Sequence, residues 1–459
     1  MKRLRWTVVK NAISNIVRGG ATAVVALALP HFLTRSLDHD RFAAWALILQ
    51  IAAYANYLDF GLQTAVARYL AQAIERGDQE GCDRLISTAI ALLSAAALVA
   101  LLIIGGVLVF LPHIFAQAPV SLIVELRMGA TVLAVSAAIL LPLSTFTGVL
   151  VGLHRNEFPA LAIGGTRLLG AALVIVCVRF THSLVALAAC IALCNLLGGI
   201  AQYWFARRLL AMRIAFVNAS RKMARELAGY CSTLMIWSVA MLFVSGLDVT
   251  LVGYFDFKAL SYYSIAATLI VFVSGLNNAV MNSLLAPIAT LQARHEVERI
   301  ERIVLSATRL TSFVDIAFII IVFLFGRPLI TLWVGPNYAD GSLLFLEILS
   351  VGQAVRLLGS AYSVALVATG LQRFGILCVA VEGVANLVAS VLLAHRMGAV
   401  GVAWGTLIGS VIAAPILIGY VMRNRGDLTV RRWRFLLQGV GLPLLCFSPF
   451  IAWIIFHHR

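Results

Sequence analysis

Inside the apolar stretches of this 459-residue chain, polar residues recur in helical register. Asn11, Ser14, Asn15, Arg18 and Thr22 are spaced by three, one, three and four residues, which is one face of an α-helix. Gln50, Tyr54, Tyr57, Gly61, Thr64 and Arg68 form a second stripe with Asp59 close by. Ser274, Asn277, Asn278 and Asn282 form a third, and Thr308, Thr311, Ser312 and Asp315 a fourth with Arg309 beside it. Gln353, Arg356, Ser360 and Ser363 follow, then Glu382 and Asn386 one turn apart; Arg167 and Asp248 are isolated within their stretches. Amides and hydroxyls in such rows suit sugar hydroxyls, and the planar fork of arginine donates two hydrogen bonds at once to a phosphate or carboxylate. The expected substrate-binding set is therefore Arg18, Asn15, Asn11, Arg68, Arg167, Asn278, Asn282 and Arg356, lining a hydrophilic cavity. The competing reading is glue between helices, with Arg68, Arg309 and Arg327 snorkelling to the interface. Asp59, Asp248, Asp315, Glu347 and Glu382 are candidates for coupling to a proton or sodium gradient, or for ion pairs with neighbouring arginines. No cofactor or metal site is expected: Cys190 and Cys194 lie one turn apart without His or an acid, too few ligands for a metal.

The elements that must carry these residues follow from composition. Apolar types make up 61% of the chain and charged types 12%, with mean hydropathy +0.97. Soluble domains carry about 25% charged residues, so this balance excludes a soluble enzyme, a disordered chain and a disulfide scaffold. Apolar stretches long enough to span a membrane as helices fall near 11–34, 42–70, 85–112, 123–152, 157–179, 183–206, 229–254, 259–291, 303–332, 342–369, 372–394, 399–422 and 435–456. The predicted fold is an all-α polytopic membrane protein. With the N-terminus in the cytoplasm, Lys and Arg crowd the cytoplasmic side (Lys2 to Lys10, Arg207 to Arg225, Arg294 to Arg302, Arg423 to Arg434). The opposite side holds only Arg35, Arg41, Arg179, Lys258, Arg396 and Arg459. This positive-inside asymmetry accounts for the net charge of +15 without a nucleic-acid partner.

The halves resemble each other. Gly61-Leu62-Gln63-Thr64-Ala65-Val66 is echoed by Gly275-Leu276-Asn277-Asn278-Ala279-Val280, and Gly152-Leu153-His154-Arg155 by Gly370-Leu371-Gln372-Arg373. These matches pair the second stretch with the eighth and the fourth with the tenth. They predict two six-helix bundles related by pseudo-two-fold symmetry about the membrane normal, with substrate between them. The expected organisation is an N-terminal lobe over 1–206, a basic cytoplasmic linker over 207–228 lying on the anionic leaflet, a C-terminal lobe over 229–422, and a basic loop with an extra hydrophobic helix over 423–459. Pro30, Pro142, Pro287 and Pro415 are expected to bend their helices.

Further residues carry a family resemblance. Pro30-His31-Phe32-Leu33, Phe42-Ala43-Ala44-Trp45-Ala46-Leu47, Leu58-Asp59-Phe60-Gly61-Leu62 and Ala67-Arg68-Tyr69-Leu70-Ala71 resemble the opening of polysaccharide-biosynthesis flippases. The run from Phe325 to Tyr338 is similar to their ninth span and following loop, and that from Gly398 to Thr406 to the start of their twelfth. The resemblance covers about residues 10–422. It is to the O-antigen-type oligosaccharide-lipid flippases of the multidrug/oligosaccharidyl-lipid/polysaccharide exporter superfamily. It implies a V-shaped pair of lobes and alternating access that carries an undecaprenyl-pyrophosphate-linked oligosaccharide across the bacterial inner membrane, for O-antigen, capsule or exopolysaccharide synthesis. It further implies lipid-linked oligosaccharide, membrane lipids and a glycan polymerase complex as partners, with Arg18 as the arginine nearest the anionic head. The loop Leu37-Asp38-His39-Asp40-Arg41-Phe42 departs from the family in lacking glycines, and a thirteenth stretch is unusual. A drug or cation exporter of the same superfamily shares the fold but would want acids on the first span, which offers Arg18 and amides instead. A membrane glycan polymerase would need a long external loop, and the external loops here are short, so no enzyme activity is expected.

Overall fold

A computed structural model describes the backbone of residues 2–422, 428 and 430–457, and side chains over 19–450 apart from 56, 216, 233, 286, 423–427 and 429. The chain is all-α and divides into two compact units, Met1–Val239 and Ala240–Arg459. The first holds α1 (Lys2–Ser36), α2 (His39–Tyr57), α3 (Leu62–Glu75), α4 (Gln79–Ile114), α5 (Val120–Leu143), α6 (Thr145–Gly152), α7 (Glu157–Phe180) and α8 (Leu184–Leu209). The unit boundary falls inside α9 (Arg221–Met241). The second unit holds α10 (Asp248–Phe255), α11 (Leu260–Ser283), α12 (Leu285–Ala293), α13 (Val297–Val334), α14 (Pro336–Leu357), α15 (Ser360–Ala368), α16 (Ile376–Met397) and α17 (Ala399–Ile416). The single turn α18 (Arg432–Arg434), a π-helical segment (Phe435–Gly441) and α19 (Leu442–His457) end the chain.

These helices form rods at the thirteen stretches of the apolar pattern. Among the described residues, nine rods are long and apolar enough to cross a membrane, or ten if the bent pair Arg221–Ser232 and Leu234–Gly246 is one span. The other rods fall outside that count. α2 and α3 are short and carry Asp40, Arg41, Gln50 and Arg68, α1 opens on a charged turn, and α19 has 16 residues. Large apolar side chains on the flanks of the rods face outward, among them Leu102 (76% exposed), Leu332 (81%) and Leu445 (73%). Such a surface is costly in water and suits lipid.

Rods two, four, eight and ten are each interrupted. In rod four, α5 gives way to α6 at Ser144, two residues after Pro142; in rod eight, α11 gives way to α12 at Leu284, three before Pro287. Proline removes one backbone donor and clashes with the preceding turn, which explains the break before Pro287. Pro415 precedes a π-helical turn at Leu417–Val421, whereas Pro30 lies inside uninterrupted α1. In rod two the break is made by Phe60 and Gly61, both at positive φ (48° and 74°).

The repeat reappears in cap chemistry. α3, α6, α12 and α15 end in the same motif, with a left-handed residue at Gly77, His154, His295 and Gly370. At each, the left-handed residue's N–H donates to the carbonyl three back, and the next N–H to one five back: Asp78 to Ala73, Arg155 to Leu150, Glu296 to Leu291, Leu371 to Leu366. This satisfies carbonyls that a helix end would otherwise leave open. Each unit thus uses the same cap after its second and fourth rods.

Segment 210–220, between α8 and α9, is pinned to α4. Gln79 Nε2 donates to Ala211 O (2.5 Å), Arg213 N–H to Asp83 Oδ1 (3.0 Å), Ala215 N–H to Ser87 Oγ (3.4 Å) and Ser220 N–H to Thr88 Oγ1 (3.0 Å). The acceptor and donor positions on α4 lie on one helical face, so backbone groups without a helical partner are satisfied by a row of side chains.

Small residues bring helices together. On α17, Gly401, Gly405 and Gly409 recur every fourth residue against α16: a Cβ on Gly405 would fall 2.5 Å from Ser390 Cα, and one on Gly401 2.5 Å from Leu393 O. Membrane helices have no hydrophobic drive toward each other, so close backbone approach supplies the packing. Gly405→Ala should therefore cost about 1–3 kcal/mol through overpacking. It should lower the thermal midpoint in detergent, while Gly419→Ala, with open space around it, leaves the midpoint in place. Equal midpoints for the two variants would refute the close-contact assignment.

Candidate functional site

The second unit gathers charged and polar side chains from α10, α11, α14, α16 and α17 into one buried network. Its local cause is a π-helical turn. After α9 the chain widens over Leu242–Gly246 before α10 begins at Asp248. Such a turn leaves carbonyls without their usual helical donors, and Asn386 Nδ2 donates to two of them, Phe243 O (3.3 Å) and Val244 O (2.6 Å). Gly383, one turn earlier on α16, permits the approach: a Cβ there would stand 2.8 Å from Ala240 O.

Arg356 Nε donates to Glu382 Oε1 at 2.6 Å, and its terminal nitrogen to Val244 O at 3.4 Å. Asp248 accepts from Asn386 Nδ2 (3.5 Å) and Thr406 Oγ1 (3.3 Å), and Tyr263 completes its surroundings. Ser390 Oγ donates to Asn386 Oδ1 (2.9 Å). Asp248, Glu382, Asn386, Ser390, Thr406 and Tyr263 are all buried. Glu382 pairs with the guanidinium, while Asp248 is held by neutral donors in the same low-dielectric setting. Such a cluster can take up a small cation or a proton to complete its charge balance. Among the described residues no group of three or more His, Cys, Asp or Glu side chains is placed to hold a metal ion.

In the first unit Asp59 sits in the α2–α3 break. It accepts from Ser144 Oγ (3.5 Å), at the α5–α6 break, and from Gln63. One carboxylate therefore ties together two places where helical hydrogen bonding is interrupted. Arg167 donates from α7 to Thr22 Oγ1 on α1 (2.6 Å), and Arg68 lies over the Tyr230 ring at 5.2 Å. Asn278 and Asn282 are exposed on α11. Asp315 is buried on α13 among other hydroxyls. The side chains of Asn11, Asn15 and Arg18 lie outside the described residues, although their backbone is part of α1.

Of the residues singled out by sequence, the structure brings Arg356, Asp248 and Glu382 together, and it leaves Asp59 and Asp315 apart from them. Thr406, Ser390, Tyr263 and the Phe243 and Val244 carbonyls complete the network, and polar periodicity pointed to none of them as ligands. Ser390 continues the Glu382–Asn386 stripe by one further turn and was legible in that sense. The carbonyls carry no sequence signal, because nothing in Leu242-Phe243-Val244-Ser245-Gly246 marks a π-turn. Removing one partner of a buried ion pair leaves the other charge unpaired, at about 3–5 kcal/mol. Arg356→Ala should accordingly destabilise the purified protein strongly, and Glu382→Gln on that background should recover much of the loss in thermal midpoint. Failure of the second change to recover stability would dissolve the pair.

Comparison with known proteins agrees with the helix order. The family model described as "Polysaccharide biosynthesis protein" matches residues 8–291. A solved lipid II flippase MurJ, in an inward closed conformation, superposes with a TM-score of 0.71 at 13% identity, covering 98% of this chain and all of that one. An inward-facing multidrug resistance MATE family transporter of the MOP superfamily superposes with a TM-score of 0.69 at 17% identity, covering 96% and 99%. A MOP superfamily transporter from Pyrococcus furiosus, described as having a binding pocket of reverse polarity, gives 0.61 at 18% identity, covering 94% and 96%. No curated protein matches the sequence. At these identities the structural likenesses speak for the fold, while the family model covers well over half of the chain. The chain is a multi-pass membrane protein with the fold of the multidrug/oligosaccharidyl-lipid/polysaccharide exporters, and it belongs to the polysaccharide biosynthesis protein family.

Proposed function

We propose that the protein flips an undecaprenyl-pyrophosphate-linked oligosaccharide across the bacterial inner membrane by alternating access, with its N-terminus in the cytoplasm, for assembly of a surface polysaccharide. The observation that carries this reading is the polysaccharide-biosynthesis family match over residues 8–291. The fold shared with a lipid II flippase supports it, as does the chemistry of α1, whose Asn11, Asn15 and Arg18 suit glycan hydroxyls and a pyrophosphate. The glycan-pyrophosphate head moves through the polar interior while the polyprenyl tail stays in lipid. A proton or sodium gradient drives the cycle through buried acids, of which Glu382 pairs with Arg356 and Asp248 accepts from Asn386 in the same network. A glycan polymerase complex receives the product. The protein makes and breaks no covalent bond.

The second reading, export of a drug or cation, draws on the fold shared with a multidrug transporter. Deletion in the native host separates the two. Flipping predicts accumulation of polyprenyl-linked glycan confined to the inner leaflet together with loss of the surface polymer, and mass spectrometry of the lipid identifies the cargo. Unchanged glycan with raised sensitivity to cationic drugs would favour the exporter. Within the flippase reading, Arg18→Ala should lower transport at normal protein level and Arg18→Lys should retain part of it. Full transport by a well-expressed Arg18→Ala protein would remove Arg18 from the site.

A further inference from the structure

The segment 210–220 forms a strap whose inner edge is fixed and whose outer edge is open. Its four hydrogen bonds with Gln79, Asp83, Ser87 and Thr88 hold it against α4. At its tip a single 3₁₀ turn, Phe216–Asn218, is braced from within: Asn218 N–H donates to Ala215 O (2.9 Å) and Asn218 Nδ2 to Arg213 O (3.2 Å). The turn holds Val217 94% exposed, and Ile214 is 41% exposed before it. The apolar surface of Val217 is therefore open to whatever lies beyond the strap.

Cations surround this tip. Arg207, Arg208, Arg213, Arg221, Lys222 and Arg225 are all exposed, and Glu226 is the one acid between Tyr203 and Tyr230. Among the described residues none of the six is in an ion pair, whereas nearby Arg84 takes Glu80 and Arg155 takes Glu157. Arg208 lies over the Trp204 ring at 3.6 Å, and Arg207 donates to Tyr203 Oη at 2.8 Å. These aromatic partners orient two guanidiniums and leave their positive charge uncompensated.

Position decides the occupant. α8 is long and apolar enough to cross a membrane and ends at Leu209, and α9 opens the bent pair that follows the strap. Trp204, 47% exposed in the last turns of α8, marks the headgroup level, where an apolar ring with one polar edge settles. The strap starts within two turns of it and lies in that layer. A soluble acidic protein or a nucleic acid would have to displace headgroups to reach it and would offer Val217 no apolar medium. Free phosphate would meet the cations and leave Val217 in water. We propose that the strap is a docking surface for anionic phospholipid: Arg208, Arg213, Arg221 and Lys222 hold the headgroup phosphates, and Val217 inserts between the acyl chains. The bonds to α4 set this surface before lipid arrives, so little ordering is spent on binding. On the orientation proposed above it meets the cytoplasmic leaflet, whose anionic lipids attract basic segments. It does not depend on the cargo and holds for a flippase and an exporter alike.

The test is hydrogen–deuterium exchange of the purified full-length protein in nanodiscs of phosphatidylcholine, with and without phosphatidylglycerol. Exchange in peptides covering 207–225 should slow in the anionic discs, and added salt should weaken the effect by screening. In detergent, phosphatidylglycerol should raise the thermal midpoint as a ligand of the folded state does; phosphatidylcholine and inorganic phosphate at equal ionic strength should not. Arg213→Gln and Lys222→Gln should each raise the half-saturating phosphatidylglycerol about fivefold. Val217→Ser should raise it with no change of charge. Arg179→Gln, in the last turn of α7 on the far side of the membrane, should leave it in place. Equal exchange over 207–225 in both discs overturns the proposal. So does a midpoint shift copied by inorganic phosphate, or one that Arg213→Gln, Lys222→Gln and Val217→Ser all leave unchanged. Protection of these peptides by soluble polyglutamate, with none from phosphatidylglycerol, would overturn it in favour of an acidic protein partner. Exchange is read on the wild type, so the test stands even where a variant does not accumulate. None of these readouts involves cargo, so their failure leaves the flippase reading untouched.

Discussion

Within a bilayer, a polar group that leaves the helical hydrogen-bond pattern has no water to turn to and must find its partner in the protein. Nearly every feature described above answers that constraint. The π-turn at Leu242–Gly246 frees carbonyls, and Asn386 and Arg356 reach them from α16 and α14. The breaks after α2 and α5 interrupt two helices, and Asp59 meets Ser144 where they do. In α7 and α8, where no break occurs, glycines and a threonine let the backbones close up: a Cβ on Gly198 would stand 2.7 Å from Thr166 Oγ1. At these places irregular backbone and buried charge are tolerated because each is answered from a neighbouring helix.

The same constraint explains why the two halves resemble each other more in their ends than in their interiors. A rod that stops must cap its last carbonyls, and the motif at Gly77, His154, His295 and Gly370 does so four times with nearly identical hydrogen bonds. Two of the four positions use histidine where glycine would carry no steric cost at positive φ. The cap is therefore maintained by the surrounding turn as well as by residue type. The interiors have diverged further: the first unit has no counterpart, among the described residues, of the Asp248–Arg356–Glu382 cluster, and its break at Phe60–Gly61 has no equivalent in α11.

This asymmetry bears on mechanism. A transporter that couples cargo to an ion gradient needs one place that handles the cargo and another that handles the ion. The described acids that are buried in helices of the second unit are Asp248, Glu301, Asp315 and Glu382. The arginine- and amide-bearing face of α1 belongs to the first unit.

Much of the architecture was legible before folding. The apolar pattern placed all thirteen rods, because a helix that meets lipid must be apolar along its length, and that requirement is written one residue at a time. The repeat was readable from two short echoes, and the prolines at 142, 287 and 415 marked places where helical hydrogen bonding fails. The site was less legible. Periodicity put Glu382 and Asn386 on one face but could not say which carbonyls they meet, since those carbonyls become available only when the preceding rod widens into a π-turn. It put Arg356 with expected cargo ligands, whereas packing set its guanidinium against Glu382. It put Thr308, Thr311, Ser312 and Asp315 in one row; only the tertiary arrangement showed that this row is buried. Sequence by itself determined what each helix is and which way its polar face turns around its own axis. What that face meets depends on neighbours hundreds of residues away, and only the tertiary structure decided it.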